Sequence, residues 1–239
     1  MNAIGIICGT GFKNSDEFNL IEKVNIETPW GDPSSPLYVG KIGAKKVVLL
    51  LRHGEDRTIP PHRINHRANI YAMKNETSVV IGISSTGALH SEIPVPSLSI
   101  PVDYVNLWGD LTYYDETIKH ITPGFPLDLR NKMISTVKKL DLSMPVRTED
   151  VYVQTTGPRL ETMAEVRFLS TLGDLVGMTM ASEATLCKEI GLDYSSLLTV
   201  DNYGNGIGTQ EVRYDDIVEN AKKSWTCIMQ ILKNFLEEG

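Results

Sequence analysis

Val151 to Ile207, VYVQTTGPRLETMAEVRFLSTLGDLVGMTMASEATLCKEIGLDYSSLLTVDNYGNGI, alternates apolar runs of strand length with segments of helical period. The runs Val151 to Val153, Leu175 to Met178 and Ser195 to Val200 read as strands. Glu161 to Leu172 reads as a helix stopped by Gly173, and a second helix, capped by Ser182, carries Leu186, Cys187 and Ile190 inward before Gly191. Strand and helix in alternation predict an α/β fold with a buried sheet. Such sheets bind ligands beyond the carboxyl ends of their strands. Thr179 and Asn202 occupy such ends.

Upstream the same pattern recurs. Ala3 to Cys8 is a short apolar run that breaks at Gly9-Thr10-Gly11, a turn whose glycines admit a ligand close to the backbone and whose Thr10 adds a hydroxyl. The turn lacks the third glycine of a dinucleotide fingerprint and the lysine of a nucleotide-triphosphate loop, so a plain strand-ending turn accounts for it equally. Val47 to Leu51 delivers Arg52 and His53, a guanidinium fork and an imidazole suited to phosphate oxygens, or to a solvated rim. Ser78 to Ile83 is followed by Ser84-Ser85-Thr86-Gly87, a hydroxyl-rich strand end that can cradle an anion or form a plain polar turn.

Between these strands, Pro60 and Pro61 are expected to start a helix running to Asn75, with His62 and His66 on one face; no third ligand accompanies them, so no metal site is expected. Glu92 to Val105, rich in proline, predicts an edge strand or irregular crossover, and Gly109 to Pro126 a turn-like segment with a lone His120. Leu129 to Leu140 predicts an amphipathic helix. Val218, Ala221, Trp225, Ile228, Leu232 and Phe235 step by threes and fours, predicting a long C-terminal helix used for packing rather than chemistry.

At 239 residues and 41% hydrophobic, the chain suffices for one large α/β domain over residues 1–239, although the length also allows two small ones. The architecture expected of the single domain is a central mixed sheet flanked by helices. A net charge of -7 argues against a nucleic-acid partner, which selects positive surfaces. No apolar run reaches the ~18 residues of a membrane span. Three cysteines without a CxxC pair fit a reducing, cytoplasmic setting.

Thr10, Arg52 with His53, Ser84 with Ser85, and Thr179 thus stand in order at four strand ends. Together with IGIICGTGF, LLRHG, TIPPHRINHRANIYAMK, TGPRLETMAEVRFL, LVGMTMASEATLCKEIGLDYSSL and NYGNGI, which cover most of the chain, they resemble the trimeric purine nucleoside phosphorylase family, in its methylthioadenosine/methylthioinosine branch. The resemblance implies a nucleoside phosphorylase-like fold, reversible phosphorolysis of purine nucleosides, inorganic phosphate as co-substrate with no metal or organic cofactor, and a homotrimer or dimer of trimers.

Carried over residue by residue, the resemblance assigns Thr10, Arg52, His53, Ser84, Ser85 and Thr179 to a phosphate cage and Met178 to the ribose. Asn202 would face the purine, so that His53 and Asn202 are the catalytic pair. His120 would reach a neighbouring subunit's 5′-substituent pocket. Thr156 stands where 6-oxopurine members place a glutamate that accepts from purine N1, and Leu160 where a phenylalanine stacks on the base. An asparagine amide both donates and accepts, which suits N7 and a 6-keto oxygen, whereas the adenine-selective branch carries aspartate. The implied substrates are inosine, guanosine or 5′-methylthioinosine. An adenine-type methylthioadenosine phosphorylase and a non-catalytic purine sensor are the alternatives.

Overall fold

The apolar runs form a mixed sheet whose middle strand is the longest. The computed structural model describes residues 3–9, 17–109, 111–208 and 214–238. Among them, β1 (Ala3–Cys8), β4 (Lys45–Leu51), β5 (Thr77–Ala88) and β11 (Asp193–Tyr203) run parallel, in the order β4-β1-β5-β11. These strands are largely buried on both faces, and each carries an apolar run, as parallel strands do, although β5 and β11 also bury serines and threonines. Two strands absent from the sequence expectation, β2 (Phe18–Val24) and β3 (Leu37–Ile42), extend the sheet antiparallel beyond β4. Every interior position of β2 is exposed, so it carries no apolar period for a reader of sequence to find.

On the other side, β10 (Leu175–Gly177) joins the end of β5 antiparallel and is followed outward by β9 (Val151–Gln154) and β7 (Asp103–Val105). The proline-rich segment therefore yields two short strands: β7, at the edge, and β6 (Ser97–Ser99), which pairs with β11 and with β8 (Val146–Arg147). Helices α1 (His66–Lys74) and α4 (Met180–Ile190) pack together, and α2 (Leu127–Lys138) packs on α5 (Tyr214–Glu237). With α3 (Met163–Leu169) they complete a single α/β domain. No helix among the described residues is long and apolar enough to cross a membrane.

Four local departures from expectation bear on the site. Ser84 to Gly87 is not a strand-ending turn: β5 continues to Ala88, because β11 pairs with it as far as Tyr203 and holds these polar residues in the ladder. The prolines start only a 3-10 turn, Pro61–Arg63; the chain opens at Ile64, and Asn65 then caps α1, its Oδ1 accepting from Ala68 N at 3.1 Å. His62 and His66 therefore share no helical face, and His66 is buried. The third helix starts after Thr162, whose hydroxyl forms a capping box with Glu165, leaving Glu161 outside it.

Helix α4 begins at Met180, three residues before the expected Ser182 cap would allow. Its first amides are satisfied from β9 instead: Gln154 Oε1 accepts from Ala181 N and Ser182 N at 2.8 and 3.2 Å, and Tyr152 Oη accepts from Thr179 N and Met180 N at 3.1 and 3.3 Å. With the helix end capped by a neighbouring strand, the Thr179 hydroxyl is not needed as a cap and turns elsewhere.

Candidate active site

The carboxyl ends of β4, β5 and β11, Gly9 after β1, and the start of α4 enclose a cavity of about 630 Å³. That volume lies within the ~300–1,000 Å³ of small-molecule sites. Arg52, His53, Ser84, Ser85 and Thr179 all line it, as do Met178, Leu160 and Asn202. Thr10 lies outside the described residues. Its neighbour Gly9 does reach the cavity, and a Cβ there would lie 3.1 Å from the His53 ring, so only glycine lets β1 end so close.

Arg52 is 1% exposed, and its fork does not open toward the cavity. Nε and Nη2 donate to Oε1 and Oε2 of Glu183, also 1% exposed, at 2.6 and 3.2 Å; Nη2 also donates to Ile7 O at 3.0 Å, and Nη1 to Ile83 O at 2.6 Å. Five N–H donors less these four leave one, on Nη1, for the cavity. The guanidinium is thus a fixed charge with one free donor, held rigid by a carboxylate on α4 that Tyr194 Oη also contacts at 2.8 Å.

His53 donates from Nδ1 to Ile59 O at 2.8 Å in the tautomer that leaves Nε2 as an acceptor toward the cavity. Burial, reinforced by the Arg52 charge, lowers its pKa, so the ring is neutral at pH 7. A neutral Nε2 accepts from a monohydrogen phosphate P–OH. Ser84 Oγ and Thr179 Oγ1 lie 3.2 Å apart, both buried, and Ser85 opens onto the cavity with its Oγ donating to Asp201 Oδ2 at 2.5 Å.

Asn202 is placed by a break in register between Val200 and Asn202 that lets it face Gly87 of β5. A Cβ at Gly87 would lie 3.1 Å from the Asn202 amide nitrogen, so glycine makes its room. The amide donates to Tyr203 O at 2.8 Å, which leaves its carbonyl oxygen and second N–H free to pair with a ligand.

Two expected contributors are not brought in. Thr156 is exposed and lies in a separate hollow with Trp108, Arg159 and Phe168, and exposed His120 sits in the loop between β7 and α2, away from this chain's cavity. Glu161, 8% exposed, lines both that hollow and the cavity; its Oε1 accepts from Thr155 Oγ1 at 2.6 Å and its backbone oxygen is held by Asn205 Nδ2 at 2.8 Å. A polar residue between Leu160 and a capping threonine was the available signal. The C-terminal helix is also more than packing: Ile217, Val218, Ala221, Trp225 and Ile228 form an apolar wall of the cavity where the start of α5 overhangs the end of β11.

The guanidinium, imidazole and hydroxyls thus share one cavity with an amide, a carboxylate and an apolar wall. The profile described as the phosphorylase superfamily matches residues 3–237. The chain belongs to the phosphorylase superfamily. Within it, this phosphorylase-superfamily chain is 41% identical over 236 residues to a probable 6-oxopurine nucleoside phosphorylase of Archaeoglobus fulgidus, covering 98% of this chain and 96% of that protein. It is 34% identical over 243 residues to a probable S-methyl-5′-thioinosine phosphorylase of Thermodesulfovibrio yellowstonii, covering 98% and 90%. A solved methylthioadenosine phosphorylase from an antarctic soil metagenomic library superposes with a TM-score of 0.89 at 26% identity, covering 99% of this chain and 86% of that one. The superfamily's fold and the mixed central sheet expected from the sequence agree.

Proposed function

We propose that this enzyme cleaves the glycosidic bond of 6-oxopurine nucleosides by phosphorolysis, releasing free purine and a pentose 1-phosphate, with inosine, guanosine or 5′-methylthioinosine as substrates. The observation that carries the reading is that one cavity is lined by Arg52, His53, Ser84, Ser85 and Thr179 together with Asn202, Glu161 and an apolar wall. Inorganic phosphate is the co-substrate, and no metal or organic cofactor takes part.

Bond cleavage builds positive charge on the sugar and negative charge on the departing purine. A phosphate held beneath the sugar serves as nucleophile and counter-charge at once. Arg52 Nη1, the Ser84 and Thr179 hydroxyls, Ser85 and Thr10 donate to its oxygens, while neutral His53 accepts its proton through Nε2. Met178 lies along the ribose. Asn202 donates to N7 as negative charge develops there and faces the 6-keto oxygen. Glu161 supports the 6-oxo choice, since a carboxylate accepts from the N1–H that hypoxanthine carries and adenine lacks. Leu160, 41% exposed, offers the base an apolar edge.

The apolar wall of Val218, Ala221 and Trp225 favours a 5′-methylthio group over a 5′-hydroxyl. For assembly, the proposal is a homotrimer or dimer of trimers in the cytoplasm, with His120 entering a neighbour's cavity. Its support is the exposure of Leu107, Trp108, Met163 and Phe168, large apolar side chains of the kind that mark an interface. The test is hypoxanthine release from inosine and 5′-methylthioinosine with and without phosphate. Release that depends on phosphate is expected; equal release without it makes the protein a hydrolase, and saturable binding without turnover makes it a sensor.

A further inference from the structure

Asp201 is fully buried and does not itself line the cavity, yet it sits against two residues that do. Its Oδ2 accepts from Ser85 Oγ and from Thr199 Oγ1, each at 2.5 Å. Its Oδ1 is buried without a hydrogen-bond partner among the described residues. An ionised carboxylate can only accept, so both hydroxyl protons must point at it. The Ser85 hydroxyl then shows the cavity lone pairs, the wrong polarity for a phosphate dianion.

We propose that Asp201 is a proton-carrying positioning residue for phosphate. Resting on the phosphorolysis reading, the inference is that phosphate binds with uptake of one proton from solvent onto Asp201 Oδ2. The carboxylate becomes a carboxylic acid, its O–H donates to Ser85 Oγ, and the Ser85 O–H rotates to donate to a phosphate oxygen. No bond to carbon or phosphorus changes, and the proton returns to solvent when the anion leaves. The exchange also removes a negative charge from beside an incoming dianion.

The surroundings fit a group that takes up a proton. Facing Asp201 are the hydroxyls of Ser85 on β5 and Thr199 on β11, and its backbone oxygen accepts from Asn220 of α5 at 2.8 Å. Charged groups on the packed elements are engaged elsewhere: Arg52 with Glu183, Glu219 with Lys223 of α5, and Arg130 of α2 with Glu149. His53 is neutral. Burial without a cation accordingly raises the Asp201 pKa to about 6, so little energy separates its two forms near neutral pH.

The test compares phosphate KM in wild type and Asp201→Asn, a neutral side chain that still accepts from Ser85. Phosphate ionisation and His53 act equally on both proteins, so the ratio of their KM values isolates Asp201. With a pKa of about 6, that ratio rises about eightfold from about pH 6.5 to 7.5, while kcat at saturating phosphate keeps one pH profile in both. Infrared difference spectra of the wild-type protein show a carboxylic acid C=O band appearing on phosphate addition, which decides the matter even where the variant does not fold. A constant KM ratio, or no new acid band, overturns the inference. Turnover independent of phosphate instead overturns the phosphorolysis reading itself.

Discussion

Replacing Glu183 by glutamine tests whether Arg52 is a charge held in place by its partner. Both side chains are 1% exposed. Oε1 of Glu183 accepts from Arg52 Nε, and Oε2 from Arg52 Nη2 and Tyr194 Oη, so either orientation of the glutamine amide sets an N–H against an N–H or O–H donor. The variant keeps the guanidinium buried, with only carbonyls from Ile7 and Ile83 and half of its former partner. Leaving one member of a buried pair uncompensated costs about 3–5 kcal/mol. At roughly 2–4 °C per kcal/mol for a chain of this length, the melting temperature falls by about 6–20 °C. Phosphate at about a hundred times its dissociation constant adds about 2.7 kcal/mol to a protein that binds it. The dianion also replaces the missing carboxylate charge, so thermal melts with increasing phosphate narrow the gap between variant and wild type. A fall below about 3 °C, or a gap unchanged by phosphate, refutes the argument that Arg52 relies on Glu183 and faces the anion.

Replacing Asn202 by aspartate moves the ratio of 6-oxo to 6-amino nucleoside turnover toward 6-amino by about ten- to a hundredfold, the scale of one mispaired buried hydrogen bond; an unchanged ratio in paired kcat/KM assays removes Asn202 from the base. Val218→Asn raises KM for 5′-methylthioinosine by about tenfold or more and changes inosine less, because an amide without a partner is set against the methylthio group; equal changes for both nucleosides place the 5′-substituent elsewhere. Asp201→Asn stabilises the phosphate-free protein at alkaline pH. Burial raises this acid from 3.8 to about 6, so the folded state holds a proton that the unfolded state releases, and wild-type stability falls as pH rises from about 4 to 6. The variant escapes a cost of about 3 kcal/mol that is nearly complete above pH 7, and chemical denaturation shows a difference of about 1 kcal/mol at about pH 4.5 and about 3 kcal/mol at about pH 8. A difference independent of pH contradicts it.

Much of the site was legible because its parts stand where strands end, and strand ends are local events. The apolar run Val47 to Leu51 predicts a strand with Arg52 and His53 beyond it, and β4 ends at Leu51. Ala3 to Cys8 and the alternation after Val151 were equally direct. The extent of β5 was not, since Ser84 to Gly87 carry turn-forming residues and remain extended only because β11, more than a hundred residues later, pairs with them. Exposed β2 and the cavity wall of α5 were invisible for related reasons: one has no apolar period, and the other has an apolar face that serves both core and ligand.

By itself, then, the sequence determined the α/β class and the family, because short-range periodicity and motif chemistry reside in neighbouring residues. Only the tertiary structure decided how those residues are used. Arg52 spends four of its five donors on Glu183, 131 residues away, and on the Ile7 and Ile83 carbonyls, leaving one for the cavity. Glu161 stands between the cavity and the hollow that holds Thr156, lining both, and lies outside the third helix, which starts at Met163. Asp201 is sealed behind Ser85, 116 residues distant. Each outcome depends on where a hydrogen-bonding group finds its partner once the sheet has closed, and that distance is absent from a linear chain.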